Sequence, residues 1–160
     1  MRCFMTLLIL LVLALGFVSC SKDETEFPPQ AEQPDISELP DEPVNNRLKV
    51  IIGDASFSVA LEDNVTVKNF IAQLPLTVVM SELNGNEKYF DLPVGLSTAP
   101  ADPGTINTGD LMLYGSATVV LFYKTFSTPY SYTRLGRIEN TLELANVLGS
   151  GSVQVKFELQ

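Results

Sequence analysis

The stretch that decides the fold is residues 48–61, which read LKVIIGDASFSVAL. Its opening apolar run is typical of a buried strand, and the Gly-Asp pair at 53–54 is a turn signal. Apolar and small residues then alternate, with Phe57, Val59 and Leu61 on one side, as in a strand with one buried face. This pattern predicts a β-hairpin.

The chain after this hairpin alternates between further short strands and two short helices. Asn64 is expected to cap a helix that ends before Pro75. Asn84-Gly85 is a type I′ turn signal between a strand at 76–80 and one at 88–90. A second helix is expected over 141–148, with Gly149 as its C-cap. Further strands are expected at 111–114, 118–123, 131–138 and 153–159.

Three local features refine this assignment. The strand at 118–123 is apolar on both faces, which predicts a central position. Gly136, inside a strand, indicates a bulge or a close approach of two backbones. The segment 93–107 is rich in Gly and Pro and is expected to be a long loop, a kind of segment that is often functional. About eight short strands and two helices predict a mostly β fold, a closed or nearly closed barrel with helices at its ends, over residues 47–160.

The N-terminus has the pattern of an export signal. The apolar run at 5–18 is too short for a membrane span but suits a signal peptide over 1–19. Phe17-Val18-Ser19-Cys20 resembles the lipobox of bacterial lipoproteins. The resemblance implies a lipid on Cys20 that attaches the protein to a membrane.

Residues 20–46 form an acidic, Pro-rich segment with eight carboxylates and one lysine. Such a composition predicts a disordered tether. Lys22 followed by two acids resembles the surface-export tag of some Gram-negative lipoproteins. We therefore expect an outer-membrane lipoprotein displayed at the cell surface, with the periplasmic face as the alternative.

Composition excludes several kinds of chemistry. The chain has no His, no Trp and two Cys, of which Cys3 would leave with the signal peptide. A Ser-His-Asp triad and an imidazole metal site are therefore impossible. We expect no metal and no cofactor. No basic stripe marks a nucleic-acid surface.

The strongest candidate for a binding groove lies in the second half of the domain. Arg134 and Arg137 could clamp an anion or a carboxylate. The same pattern also fits one surface arginine and one partly buried structural arginine without any ligand. Because they are three residues apart, they share a face only if Gly136 marks a bulge. Aromatic residues between 114 and 132 could line a groove or simply pack. The candidate groove comprises Arg134, Arg137, Tyr114, Tyr123, Phe126 and Tyr132.

Several segments resemble the bacterial cyclophilin-like fold proteins. They are 50–53, 74–77, 83–89, 103–106, 109–115, 121–126 and 132–138, in the family's order. The resemblance implies an eight-stranded barrel with two helices. The family occurs alone and beside flavodoxin-like domains, and its activity is generally unassigned.

Cyclophilins proper are peptidyl-prolyl isomerases, whose signature carries Phe-His-Arg. This chain has no His, and no Arg lies between Leu48 and Ile106. No catalytic residue is therefore carried over, and the sequence favours a non-catalytic module that binds a ligand, peptide or protein. The alternatives are a degenerate isomerase or other enzyme that uses the Arg/Tyr groove, and an accessory domain to a flavodoxin-like redox partner.

Overall fold

The structure is a computed structural model that describes residues 47–160. The predicted signal peptide, the tether over 20–46 and the lipidation site Cys20 lie outside the described residues. Within 47–160, no helix combines the length and apolar character that crossing a membrane requires.

The described chain contains ten strands and two helices. In chain order they are β1 (Arg47–Ile52), β2 (Ala55–Leu61), α1 (Val65–Ile71), β3 (Leu76–Leu83), β4 (Glu87–Asp91), β5 (Thr105–Ile106), β6 (Asp110–Tyr114), β7 (Thr118–Phe122), β8 (Phe126–Ser127), β9 (Thr133–Ile138), α2 (Leu144–Leu148) and β10 (Val153–Leu159).

Eight of the strands close into a barrel, in the order β1-β10-β3-β4-β7-β6-β9-β2. Neighbouring strands run antiparallel, and β2 closes the ring on β1. This arrangement confirms the predicted mostly β barrel with two short helices. The other two strands, β5 and β8, pair only with each other. The sequence predicted loop at both positions. Two residues are too few to show the alternation of apolar and polar side chains that marks a strand.

The two hairpin turns contain glycines with positive φ. Gly53 has a φ of 57° in the two-residue turn between β1 and β2. Asn84 and Gly85 have φ values of 55° and 68° between β3 and β4, as a type I′ turn requires at both central positions. Both predicted hairpins are therefore confirmed.

Both helices are shorter than the sequence pattern predicts. The Asn64 side chain caps α1 by accepting a hydrogen bond from the N–H of Val67 at 2.9 Å. After Ile71 the N–H groups of Gln73 and Leu74 donate to carbonyls three residues back, so the last turn tightens out of the α-helix. Gly149, with a φ of 60°, ends α2.

The apolar residues form two clusters that lie on opposite sides of β7. Val119 and Leu121 belong to the barrel core, where Phe157 lies 6.1 Å from the ring of Phe70 on α1. Val120 and Phe122 belong to a smaller cluster outside the barrel. Burial on both faces confirms the central position predicted for this strand. The outer cluster also contains Ile106, Met112 and Tyr132.

Candidate binding cleft

A cleft of about 430 Å³ opens on the outer face of the barrel, beside the second apolar cluster. Its floor is formed by outward-facing residues of β4 and β7, including Glu87, Tyr89 and Val120. The end of β6 and the segment 126–132 form its walls. We call it the tyrosine cleft, because four of the chain's five tyrosines line it: Tyr89, Tyr114, Tyr130 and Tyr132.

Four aromatic rings of the cleft pack in one series with the buried ring of Phe122. Tyr114 lies 6.1 Å from Tyr130 and 5.5 Å from Tyr132 between ring centroids. Tyr132 in turn lies 5.5 Å from the buried ring of Phe122, which lies 5.7 Å from Phe126. Aromatic pairs in offset or edge-to-face geometry are stabilised by more than the burial of their surface alone. These contacts therefore hold each ring in position.

Backbone hydrogen bonds hold the wall segment. Ile106 of β5 pairs with Phe126 of β8, and the N–H of Thr128 donates to the carbonyl of Gly104 at 3.1 Å. Tyr132 exchanges two backbone hydrogen bonds with Ala101. The long loop predicted over 93–107 therefore supports the wall of the cleft.

Glu87 is the charged residue of the cleft. Glu87 is only 9% exposed. Of the described residues that line the cleft, it is the one with a charged side chain. Within 47–160 its carboxylate has no hydrogen-bond or ion-pair partner. Burial, and then the nearby charge of Glu82, raise the pKa of Glu87. Burial, and then the charge of Glu87, also raise the pKa of Tyr132.

Tyr123 lies outside the cleft, in a polar network at the barrel core. Its hydroxyl donates to Glu82 Oε1 at 2.7 Å. The fully buried Lys88 lies 2.5 Å from Glu82 Oε2 and donates to the carbonyls of Gly149 and Gly151. Burial and the Glu82 carboxylate raise the pKa of Tyr123 to about 12. Burial opposes ionisation of Glu82, but the hydrogen bonds from Lys88 and Tyr123 outweigh it and lower the pKa of Glu82.

Arg134 and Arg137 also lie outside the cleft, and they share a face. Leu111 pairs with Gly136, whereas Met112 pairs with Arg134, so Leu135 is the extra residue of a bulge. The register shift brings both guanidinium groups to Asp110.

Asp110 supplies the carboxylate that the arginines bind. It is fully buried, and Arg137 Nε donates to its Oδ1 at 2.6 Å. Arg134 is farther away, with 3.9 Å between Nη1 and Oδ2. The N–H of Asn107 donates to Oδ2 at 2.8 Å. The two arginines that could have bound a ligand carboxylate thus lie against the carboxylate of Asp110.

The structure therefore brings together Tyr114, Phe126 and Tyr132 of the predicted groove. Tyr123, Arg134 and Arg137 lie elsewhere. The six-residue groove predicted from the sequence did not include Glu87, Tyr89 and Tyr130, although Tyr130 belongs to the aromatic stretch between 114 and 132. Glu87 gave no signal, because Glu87 and Lys88 are charged neighbours on one strand and the pattern does not show which one faces outward.

Comparisons with known proteins agree with this architecture. A family model described as "Cyclophilin-like family" matches residues 50–158. The solution structure of a hypothetical protein from Archaeoglobus fulgidus is similar, with a TM-score of 0.55 and 22% identity, covering 71% of this chain and 94% of that chain. At this identity the similarity concerns the fold. No curated protein matches the chain significantly.

Proposed function

The chain belongs to the cyclophilin-like family, and we propose that it is a non-catalytic binding module whose ligand site is the tyrosine cleft. The observation that carries this proposal is the cleft itself. Its volume of about 430 Å³ and its aromatic lining suit a small ligand or a short peptide segment.

Three side chains that the sequence offered for catalysis, Arg134, Arg137 and Tyr123, are held by carboxylates of the chain itself. Arg137 and Arg134 face Asp110 rather than the cleft. The Tyr123 hydroxyl donates a hydrogen bond to Glu82, and its pKa is raised, which disfavours it as an acid or base near pH 7. We expect a proline-peptide isomerisation assay to return only the uncatalysed rate. A rate that rises with protein concentration would contradict the non-catalytic part of the proposal.

A cleft-filling variant tests the binding site. Ser127 is an exposed residue of β8 that lines the cleft, so Ser127→Trp should block it. Ser56→Trp, at an exposed position of β2 outside the cleft, is the matched control. We expect fragments detected by saturation-transfer NMR on the full-length chain to be lost in Ser127→Trp and retained in Ser56→Trp. Fragments that bind both variants equally, or none at all, would refute the cleft as the site.

We further propose that a lipid on Cys20 holds this module at the outer membrane, with its domain on the cell surface. The apolar run, the lipobox resemblance and the acidic tether support this proposal. In a Gram-negative host, Cys20→Ala should abolish fatty-acid labelling and release the protein from the membrane fraction, whereas Cys3→Ala should not. Labelled, membrane-bound Cys20→Ala protein would refute the anchor. Protection of the wild-type domain from protease in intact cells would refute surface display.

A further inference from the structure

We propose that the tyrosine cleft binds an alkylammonium group, with Glu87 as its counter-ion and the tyrosine rings as its walls. This inference rests on the proposed function, because it names the ligand class of the same cleft.

The first argument is the unpaired state of Glu87. Glu87 is 9% exposed as a whole residue, and a carboxylate that loses part of its hydration on burial normally recovers the cost through a partner. Within the described chain Glu87 has none. The adjacent lysine, Lys88, cannot serve, because it lies on the opposite face of β4 and pairs with Glu82. A cationic ligand would supply the missing partner.

The second argument is the aromatic lining. The faces of tyrosine rings attract cations through their quadrupole, most strongly where water is partly excluded. Tyr114 contacts both Tyr130 and Tyr132, and all three line the same cleft as Glu87. Tyr89 comes from the same outward row of β4 as Glu87. No lysine or arginine is among the cleft-lining residues that the structure gives, so a ligand cation meets no competing positive charge there.

The third argument distinguishes between kinds of cation. The amide oxygen of Asn86, another cleft residue, is buried and accepts no hydrogen bond in the described part of the chain. Carboxylate and amide oxygens both accept hydrogen bonds. A primary ammonium offers three N–H donors, whereas a quaternary ammonium offers none. The cleft therefore favours a primary alkylammonium, either the head of a lysine side chain or a free amine.

Intrinsic tyrosine fluorescence is a direct readout, because the chain has no Trp and four of its five tyrosines line the cleft. The full-length chain is titrated with n-butylammonium, with Nα-acetyl-lysine amide, with neutral n-butanol and with tetramethylammonium. We expect the two primary ammonium probes to saturate the signal at lower concentration than butanol or tetramethylammonium. The tighter of the two probes identifies lysine or a free amine as the source.

Glu87→Gln is the decisive variant, since it keeps the side-chain shape and removes the charge. We expect it to weaken n-butylammonium binding by roughly tenfold or more. Asp54→Asn, the matched control, removes an equal charge at an exposed position of the turn between β1 and β2, outside the cleft, and should change binding less than about twofold. Thermal melting checks that each variant is folded, and Tyr130→Ala at the exposed wall provides a second route, again with weaker ammonium binding expected.

The results separate the two proposals. Equal binding of ammonium probes by wild type and Glu87→Gln would overturn this inference, and so would tighter binding of butanol. If fragments were nevertheless lost in Ser127→Trp, the cleft would remain the binding site. Tetramethylammonium binding more tightly than butylammonium would overturn the preference for N–H donors. Absence of all binding, by these probes and by fragments, would overturn both proposals.

Discussion

Gly136 shows most directly how one residue determines this structure. A Cβ at this position would meet the backbone oxygen of Ala60 and would lie 2.9 Å from Val59 Cγ1. Since the nearest atom is backbone, it cannot move aside as the end of a flexible side chain can. The glycine therefore permits β9 to approach β2 closely enough to close the barrel.

Gly136→Ala should consequently lower the free energy of unfolding by roughly 2–3 kcal/mol, as overpacking of a tight site does. Gly151→Ala, where the added Cβ meets nothing within 4 Å, is the matched control and should change it by less than about 0.5 kcal/mol. Urea denaturation measures both. Equal stabilities of the two variants would contradict the close approach.

Glu87 gives the second residue-level prediction, a dependence of stability on pH. Because its pKa is raised in the folded protein, its contribution is fully present below the ordinary value and is lost as pH rises through the folded pKa. The charge of Glu87 interacts with Glu82, Tyr123 and Tyr132, and the titratable side chains Tyr89, Tyr114 and Tyr130 line the same cleft.

Glu87→Gln should therefore be more stable than the wild type at pH 7, and this difference should shrink as the pH approaches 4. Melting temperatures across this range measure the effect, with Asp54→Asn, at an exposed turn position, as the control. A variant less stable than the wild type at pH 7 would mean that Glu87 has a stabilising partner in the folded protein.

At the scale of elements, the bulge between β6 and β9 places two arginines at different distances from Asp110. Arg137 donates to the buried Asp110 at 2.6 Å, whereas Arg134 lies at 3.9 Å and both side chains are about half exposed. We expect Arg137→Ala to cost about 1–2 kcal/mol of unfolding free energy, because it removes a hydrogen bond to a buried carboxylate. Arg134→Ala should cost less than about 1 kcal/mol.

Urea denaturation of the two variants, each also combined with Asp110→Asn, measures these interactions as double-mutant cycles. A coupling with Asp110 as large for Arg134 as for Arg137 would contradict this geometry. Unchanged stability of Arg137→Ala would show that its hydrogen bond to Asp110 does not stabilise the fold.

The elements themselves were largely predictable. Alternation, turn glycines and the Asn64 cap predicted eight barrel strands and both helices, because each signal acts within a few residues. The bulge at Leu135 was predictable only as an alternative, since Gly136 fits either a bulge or an ordinary close approach. The strands β5 and β8 could not be found, because they exist only through their contact with each other.

At the scale of the whole molecule, the barrel was predictable and the site was only partly so. Aromatic residues between 114 and 132 indicated the correct wall. The cleft, however, also depends on which face of β4 looks outward, and that is decided by long-range pairing with β7. The arginines were grouped with the aromatics by sequence proximity, but both lie against Asp110, and Arg134 lines a separate small cavity together with Tyr132.

The central claim is that the tyrosine cleft is where this protein binds its ligand. The most direct test is a two-dimensional ¹H–¹⁵N NMR spectrum of the ¹⁵N-labelled chain, recorded during titration with n-butylammonium and with a confirmed fragment. The account predicts amide shifts confined to residues 83–89, 114–120 and 126–132. Shifts centred on Asp110 and the arginines, or on no defined region, would contradict it.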